Sequence, residues 1–216
     1  PLRRQRQMCI RDRPRIDKKG NHMSKTALIP IAEGCEEIEA ITVIDVLRRA
    51  GVEVSVAAVN SDSSLSITGA HSIQISADCS IDSCVNGSWD LIAVPGGIPG
   101  AEHLASCQNL DTLLRSQVQD GKLYAAICAA PALVLGSKGL LANKTATGHP
   151  MFQQNLNAKE LNSESRVVVD GNCITSQGPG TALDFALELV EQLCGVVKRE
   201  EVGSPMVLTT SATAYY

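Results

Sequence analysis

The sequence predicts an α/β domain: a mostly parallel sheet covered by helices on both faces, with antiparallel hairpins added at an edge. Three observations lead there. Strand-length apolar runs alternate with helix-length periodic segments, a pattern that calls for crossovers between parallel strands. Aromatic residues make up only 3% of the chain against 44% hydrophobic, so the core must be Ala, Val, Leu and Ile, as in sheets buried on both faces. Two segments carry hairpin signals instead of crossover lengths. With 216 residues, one domain with one sizeable core is the expectation.

The elements follow in chain order. "TALIPIA" (26–32) is a short apolar run closed by Glu33-Gly34 and reads as a buried strand. "EEIEAITVIDVLRRAG" has helical periodicity and ends at Gly51. "VEVSVAAV" (52–59) is a second strand, and "SITGAHSIQIS" (66–76) a hairpin. "WDLIAVPGG" (89–97) is a strand running into a glycine turn, and Leu110 to Asp120 a helix. "LYAAIC" (123–128) is the next strand, with a short helix over "APALVLGSKG". "KTATGHP" (144–150) reads as a strand ending at His149-Pro150. "RVVVDGNCITS" (166–176) is a hairpin centred on Asp170-Gly171. In "GTALDFALELVEQLCG" (180–195), Ala182, Phe185, Ala186, Leu189, Val190 and Leu193 fall on one helical stripe, and Gly195 ends it.

The first 22 residues differ from the rest. They carry eight Lys or Arg and two Asp, whereas the remainder carries 11 basic and 21 acidic residues. The leader lacks an apolar stretch, so it is not a secretory signal. "QMCIRD" also reads as a translated sequencing adapter. We expect residues 1–22 to be non-native or disordered, translation to begin at Met23, and residues 23–216 to form the single domain. No nucleic-acid affinity is read into the leader's charge. The body holds seven cysteines with no C-x-x-C and no zinc-type Cys/His spacing, so no metal site is expected. An odd, scattered cysteine count fits reduced thiols in a cytoplasm. No apolar run approaches a membrane span. No phosphate-binding loop or dinucleotide fingerprint occurs, so no nucleotide site is expected.

In open sheets of this class, sites form beyond the carboxyl ends of the strands. Cys128 falls there, in "AAICAAP". A free Cys is most often core filler. Here, though, it stands at a strand-to-helix transition lined with alanines, as a sharp elbow requires. A following helix would direct N–H groups at the sulfur and lower its pKa, with the Ala129 N–H facing any oxyanion. Glu36 and Glu37 read as first-turn acids that complement the helix dipole. Glu39 differs, sharing an i, i+4, i+7, i+11 stripe with Val43, Val46 and Ala50. A carboxylate on an apolar stripe is costly unless protonated or paired, so Glu39 is expected to be neutral near pH 7. His149 at a strand end is a weak candidate alone. Gly96-Gly97 is a plain turn or a close backbone approach to substrate, with a Gly N–H as second oxyanion donor.

Taken together, "EGCEEIEAITVIDVLRRAG", "VPGGIPGAE", "AAICAAPALV", "TGHP" and "TSQGPGTALDFAL" resemble the ThiJ/PfpI superfamily, in its DJ-one-like branch and nearest its bacterial YajL proteins. The resemblance runs from about Ser24 to Leu208. It implies a flavodoxin-like three-layer sandwich, usually a homodimer, and cofactor-free chemistry on 2-oxoaldehydes such as methylglyoxal, or on glycated protein side chains. It also implies roles: Cys128 as the reactive cysteine, Glu39 as the protonated acid beside it, Gly97 and Ala129 as backbone donors to the sulfur, and His149 as the nearby histidine. Protease-like members place His directly after the nucleophile. Ala129 stands there, which argues against peptidase chemistry. A redox sensor or chaperone using the same cysteine is the alternative reading.

Overall fold

Ile29 and Ile31 point to one side of the first strand and Leu28 and Ala32 to the other, and all four are fully buried. This two-residue alternation between two apolar layers is what a sheet sandwiched between helices requires. The computed structural model describes residues 24–60, 62 and 64–208; the basic leader and the expected start at Met23 lie outside the described residues.

Strands β1 (Thr26–Ile31), β2 (Glu53–Ala58), β5 (Cys79–Ser80), β6 (Leu91–Val94), β7 (Leu123–Ile127), β10 (Val167–Asp170) and β11 (Cys173–Ser176) form one sheet in the order β10-β11-β7-β6-β1-β2-β5. Only the β10–β11 pair is antiparallel. Its two-residue turn is Gly171-Asn172, one position later than the sequence suggests, and Gly171 takes the left-handed φ of +61° that such a turn needs. Helices α1 (Glu37–Arg49) and α4 (Ala182–Cys194) cover one face, and α2 (Gly100–Ser106) and α3 (Gln108–Gln119) the other. The six apolar positions of the α4 stripe are all buried. Helix α5 (Val196–Gly203) packs behind α4. Among the described residues, no helix is long and apolar enough to cross a membrane.

Two segments depart from the expected strands. The 66–76 hairpin forms as β3 (Ser66–Thr68) and β4 (Gln74–Ser76), but as its own two-stranded sheet instead of an edge of the main one. Its backbone N–H groups are spent on acids of the first strand-helix junction: Thr68 donates to the Glu33 carboxylate at 3.1 Å, and His71 to Glu37 at 2.7 Å. The expected strand at 144–150 shortens to β8 (Thr145–Ala146), which pairs with β9 (Glu160–Leu161). Beyond it the chain leaves the ladder, because Pro150 has no N–H to contribute and opens a 3-10 segment over Pro150–Asn155.

The chain order places the site. β1 lies between β2 and β6, so successive crossovers leave it in opposite directions and a crevice opens at the carboxyl ends of β1 and β6. The segments after β1, β6 and β7 carry Glu39, Gly96-Gly97 and Cys128 to that crevice.

Candidate active site

Cys128 is the first residue past β7 and has a φ of +67°. A left-handed conformation is uncommon for a side chain with a Cβ and persists only where the surroundings enforce it. Here its N–H donates to the Ser176 carbonyl at 3.1 Å, and its own carbonyl accepts from the His149 N–H at 2.8 Å. The elbow is therefore clamped by two neighbouring segments, and Ala129 and Ala130 after it are buried.

Glu39 is fully buried in the first turns of α1, on the stripe with Val43, Val46 and Ala50, all buried as expected. Its Oε2 accepts from the Gly96 N–H at 2.8 Å. Its Oε1 has no hydrogen-bond partner of its own among the described residues, and the carboxyl group bears directly on the Cys128 thiol. Gly96 is the spacer between them. A Cβ there would come within 2.6 Å of the Cys128 Cβ and 2.9 Å of the Glu39 Oε2. Only glycine lets acid and thiol share one pocket, and the sequence signal for this was the glycine pair itself. At Gly97 the φ is +88°, and a Cβ would lie 2.4 Å from the Glu36 nitrogen. The Gly97 and Ala129 N–H groups are the backbone groups that favour a charge on the sulfur.

The electrostatics correct one expectation and refine another. Burial, and then the Glu39 carboxylate, push the Cys128 thiol up to about 12, against the pull of the Gly97 and Ala129 N–H groups. The expected lowering by a following helix is not supplied. The segment after the elbow is a π turn over Pro131–Leu135 that runs on into a 3-10 turn over Gly136–Lys138, and burial outweighs whatever its N–H groups supply to the sulfur. Burial also raises Glu39, to about 7; the Gly96 N–H and Cys128 offset it, and Glu36 adds to it. The pair thus releases its first proton near neutrality, from the carboxyl. A second is opposed by the charge already there.

His149 is brought beside Cys128 through the backbone. Its ring Nδ1 accepts from the Met151 N–H at 3.3 Å, and its edge meets Phe152 at 6.2 Å between ring centres. With Nδ1 as acceptor, the neutral ring carries its proton on Nε2.

Glu36 and Glu37 are more than dipole partners. Both are buried, and Glu37 accepts from the His71 and Ile73 N–H groups and meets the His71 ring at 3.2 Å. Among the described residues, Glu36, Glu37 and His71 are the one group that gathers three potential metal-ligating side chains. The hydrogen bonds between Glu37 and His71 are structural, since they tie the β3–β4 hairpin to α1. This long-range pairing left no mark in the local sequence.

A family model described as the DJ-1/PfpI family matches residues 25–192. The chain is 46% identical over 186 residues to Protein DJ-1 homolog A of Arabidopsis thaliana, covering 86% of this chain and 47% of that protein. It spans less than half the length of the Arabidopsis relatives it matches. It is 36% identical to the Glutathione-independent glyoxalase DJR-1.2 of Caenorhabditis elegans, over 85% of this chain and 97% of that protein. The solved structure "Toxoplasma gondii DJ-1, oxidized" superposes with a TM-score of 0.83 at 37% identity, covering 87% of this chain and all of the other. With its doubly wound sheet and a matched segment spanning most of its length, the chain belongs to the DJ-1/PfpI family.

Proposed function

We propose that the protein is a cofactor-independent glyoxalase that converts 2-oxoaldehydes such as methylglyoxal to 2-hydroxy acids, with Cys128 as nucleophile. One observation carries the reading: the Cys128 side chain and the fully buried Glu39 carboxyl flank Gly96, where a Cβ would come within 2.6 Å of one and 2.9 Å of the other.

The steps follow from those groups. The Glu39 carboxylate takes the Sγ proton as sulfur attacks the aldehyde carbon, which gives a hemithioacetal. The Gly97 and Ala129 N–H groups hold the developing oxyanion, which takes the Sγ proton back from Glu39, so that the carboxylate is free again as base. Glu39 then moves the C1 proton to C2 through an enediol, with the His149 Nε2–H assisting at oxygen, and leaves a thioester. Water cleaves the thioester to lactate and the free thiol. The oxidation of C1 and the reduction of C2 balance within the substrate, so no external electron acceptor is needed. Hydrolysis of aldehyde adducts on protein side chains would use the same hemithioacetal chemistry.

Lactate release from methylglyoxal by the reduced protein is the test, repeated after brief peroxide treatment. Release that is lost on oxidation is expected. No lactate from the reduced protein would overturn the glyoxalase reading and favour a redox sensor, since the same N–H groups and acid would hold an oxidised sulfur.

The protein is further proposed to act as a homodimer. Ile38, Ile41 and Ile73 are 56%, 45% and 55% exposed, and Ile73 is held against the start of α1 through its N–H to Glu37. Ile38 and Ile41 stand three residues apart on α1, and exposed isoleucines grouped about the start of this helix suit a covered interface. Ile38→Glu combined with Ile41→Glu is expected to convert the dimer to monomer in sedimentation equilibrium. An unchanged mass would place the interface elsewhere.

A further inference from the structure

The free edge of the sheet carries two cysteines that the mechanism does not use. β5 ends the sheet and begins with Cys79; the 3-10 turn Ile81–Cys84 follows directly and ends with Cys84. Their sulfurs lie 3.5 Å apart. We propose that Cys79 and Cys84 are a reversible dithiol–disulfide pair oxidised by peroxides, a second redox centre separate from Cys128.

The geometry asks for little. A disulfide needs the sulfurs to close by about 1.5 Å. The contacts given up are long ones: the Cys79 thiol faces the Val56 carbonyl at 3.8 Å, and the Cys84 thiol the Ser80 carbonyl at 3.6 Å and the Ser83 hydroxyl at 4.0 Å. β5 is two residues long and pairs with β2 alone, whereas the Cys84 carbonyl accepts from the Gly87 N–H at 2.9 Å and the Trp89 Nε1–H at 3.4 Å, so the closing movement falls to the two side chains. Asp82, in the middle of the turn, accepts from the Asn109 side chain at 2.7 Å, a contact that involves neither sulfur.

Accessibility assigns the order of events. Cys79 is half-buried and Cys84 is 4% exposed. Burial, and then its partner, push the Cys84 thiol up to about 11. Cys79 therefore meets the peroxide first. Its thiolate attacks the O–O bond, giving a sulfenic acid and releasing water or an alcohol. The Cys84 sulfur attacks the sulfenic sulfur, the S–S bond forms, and a second water leaves. Two thiols lose two electrons and two protons, and one peroxide is reduced. Cys128 cannot be the partner of either: β7 lies four strands from β5, roughly 19 Å at normal strand spacing.

The experiment treats the full chain, and separately its Cys128→Ser variant, with hydrogen peroxide and counts maleimide-reactive thiols after denaturation. Loss of two thiols is expected in the variant, restored by dithiothreitol, with the intact mass lower by two hydrogens. Cleavage before aspartate separates Cys79 from Cys84 at Asp82, so the two fragments should run as one until reduced. Cys79→Ser and Cys84→Ala should each abolish the paired loss, and Cys107→Ser should leave it unchanged. Two thiols that persist under peroxide sufficient to oxidise Cys128 in the parent would overturn the proposal, as would paired loss in the Cys79→Ser variant. Neither outcome depends on glyoxalase turnover.

Discussion

Replacing Cys128 with Ser is expected to abolish lactate release from methylglyoxal, a loss of roughly 10³-fold or more, as for other nucleophile deletions. The substitution changes one atom. The elbow keeps its φ of +67° because the clamp is made by the backbone of Ser176 and His149, which the variant does not touch. Thermal stability should therefore stay near the parent's, and the loss can be read as chemistry. The chemical reason is acidity. Burial already holds the thiol near 12, so attack depends on proton transfer to Glu39 as the C–S bond forms. A serine hydroxyl is a far weaker acid than a thiol, and a carboxylate titrating near 7 is too weak a base to activate it. A Cys128→Ser variant with the parent's rate would remove the sulfur from the mechanism, whatever the fate of Glu39.

The fold was legible because the longer strands carry their own burial signal, whereas β5 and β9, two residues each and not buried, left none. Ile29 and Ile31 against Leu28 and Ala32, and the six-residue stripe of α4, are local patterns that point to the same layered answer. Glu39 stood out for the opposite reason, as one charged residue on a stripe that is otherwise apolar. Helix α2 escaped because seven residues after a Pro-Gly pair hold too few turns to show periodicity. The electrostatics of Cys128 escaped because they depend on packing across the sheet. Gly96 sets how close a carboxyl from α1 comes to a sulfur after β7, and neither distance nor burial is encoded in "AAICAAP". The same holds for Cys79 and Cys84. A spacing of five residues carries no redox signature, yet a single 3-10 turn brings the sulfurs to 3.5 Å.

Replacing Glu39 with Gln is expected to slow turnover by about 10²–10⁴-fold while making the protein more stable at alkaline pH. The first effect follows from the proton path. kcat/KM of the parent should rise as pH passes through about 7, where the carboxyl ionises and becomes the base for the thiol; the variant has no such group and should show no inflection there. The second follows from linkage. Burial raises the folded pKa from 4.5 to about 7, so between those values the native state holds a proton that the unfolded chain has released. Native stability associated with this carboxyl is full below 4.5, falls through the window, and is lost above about 7, a cost of about 3 kcal/mol. Gln never ionises and escapes that loss, keeping an oxygen for the Gly96 N–H. Its buried amide brings a cost of its own, but one that does not vary with pH. The diagnostic is therefore the pH dependence of the difference in melting temperature: smallest near pH 4, growing to pH 7, and level beyond. A difference that stays flat from pH 4 to pH 8 would mean that Glu39 titrates alike in the folded and unfolded chain, and the proton relay to Cys128 would lose its near-neutral acid.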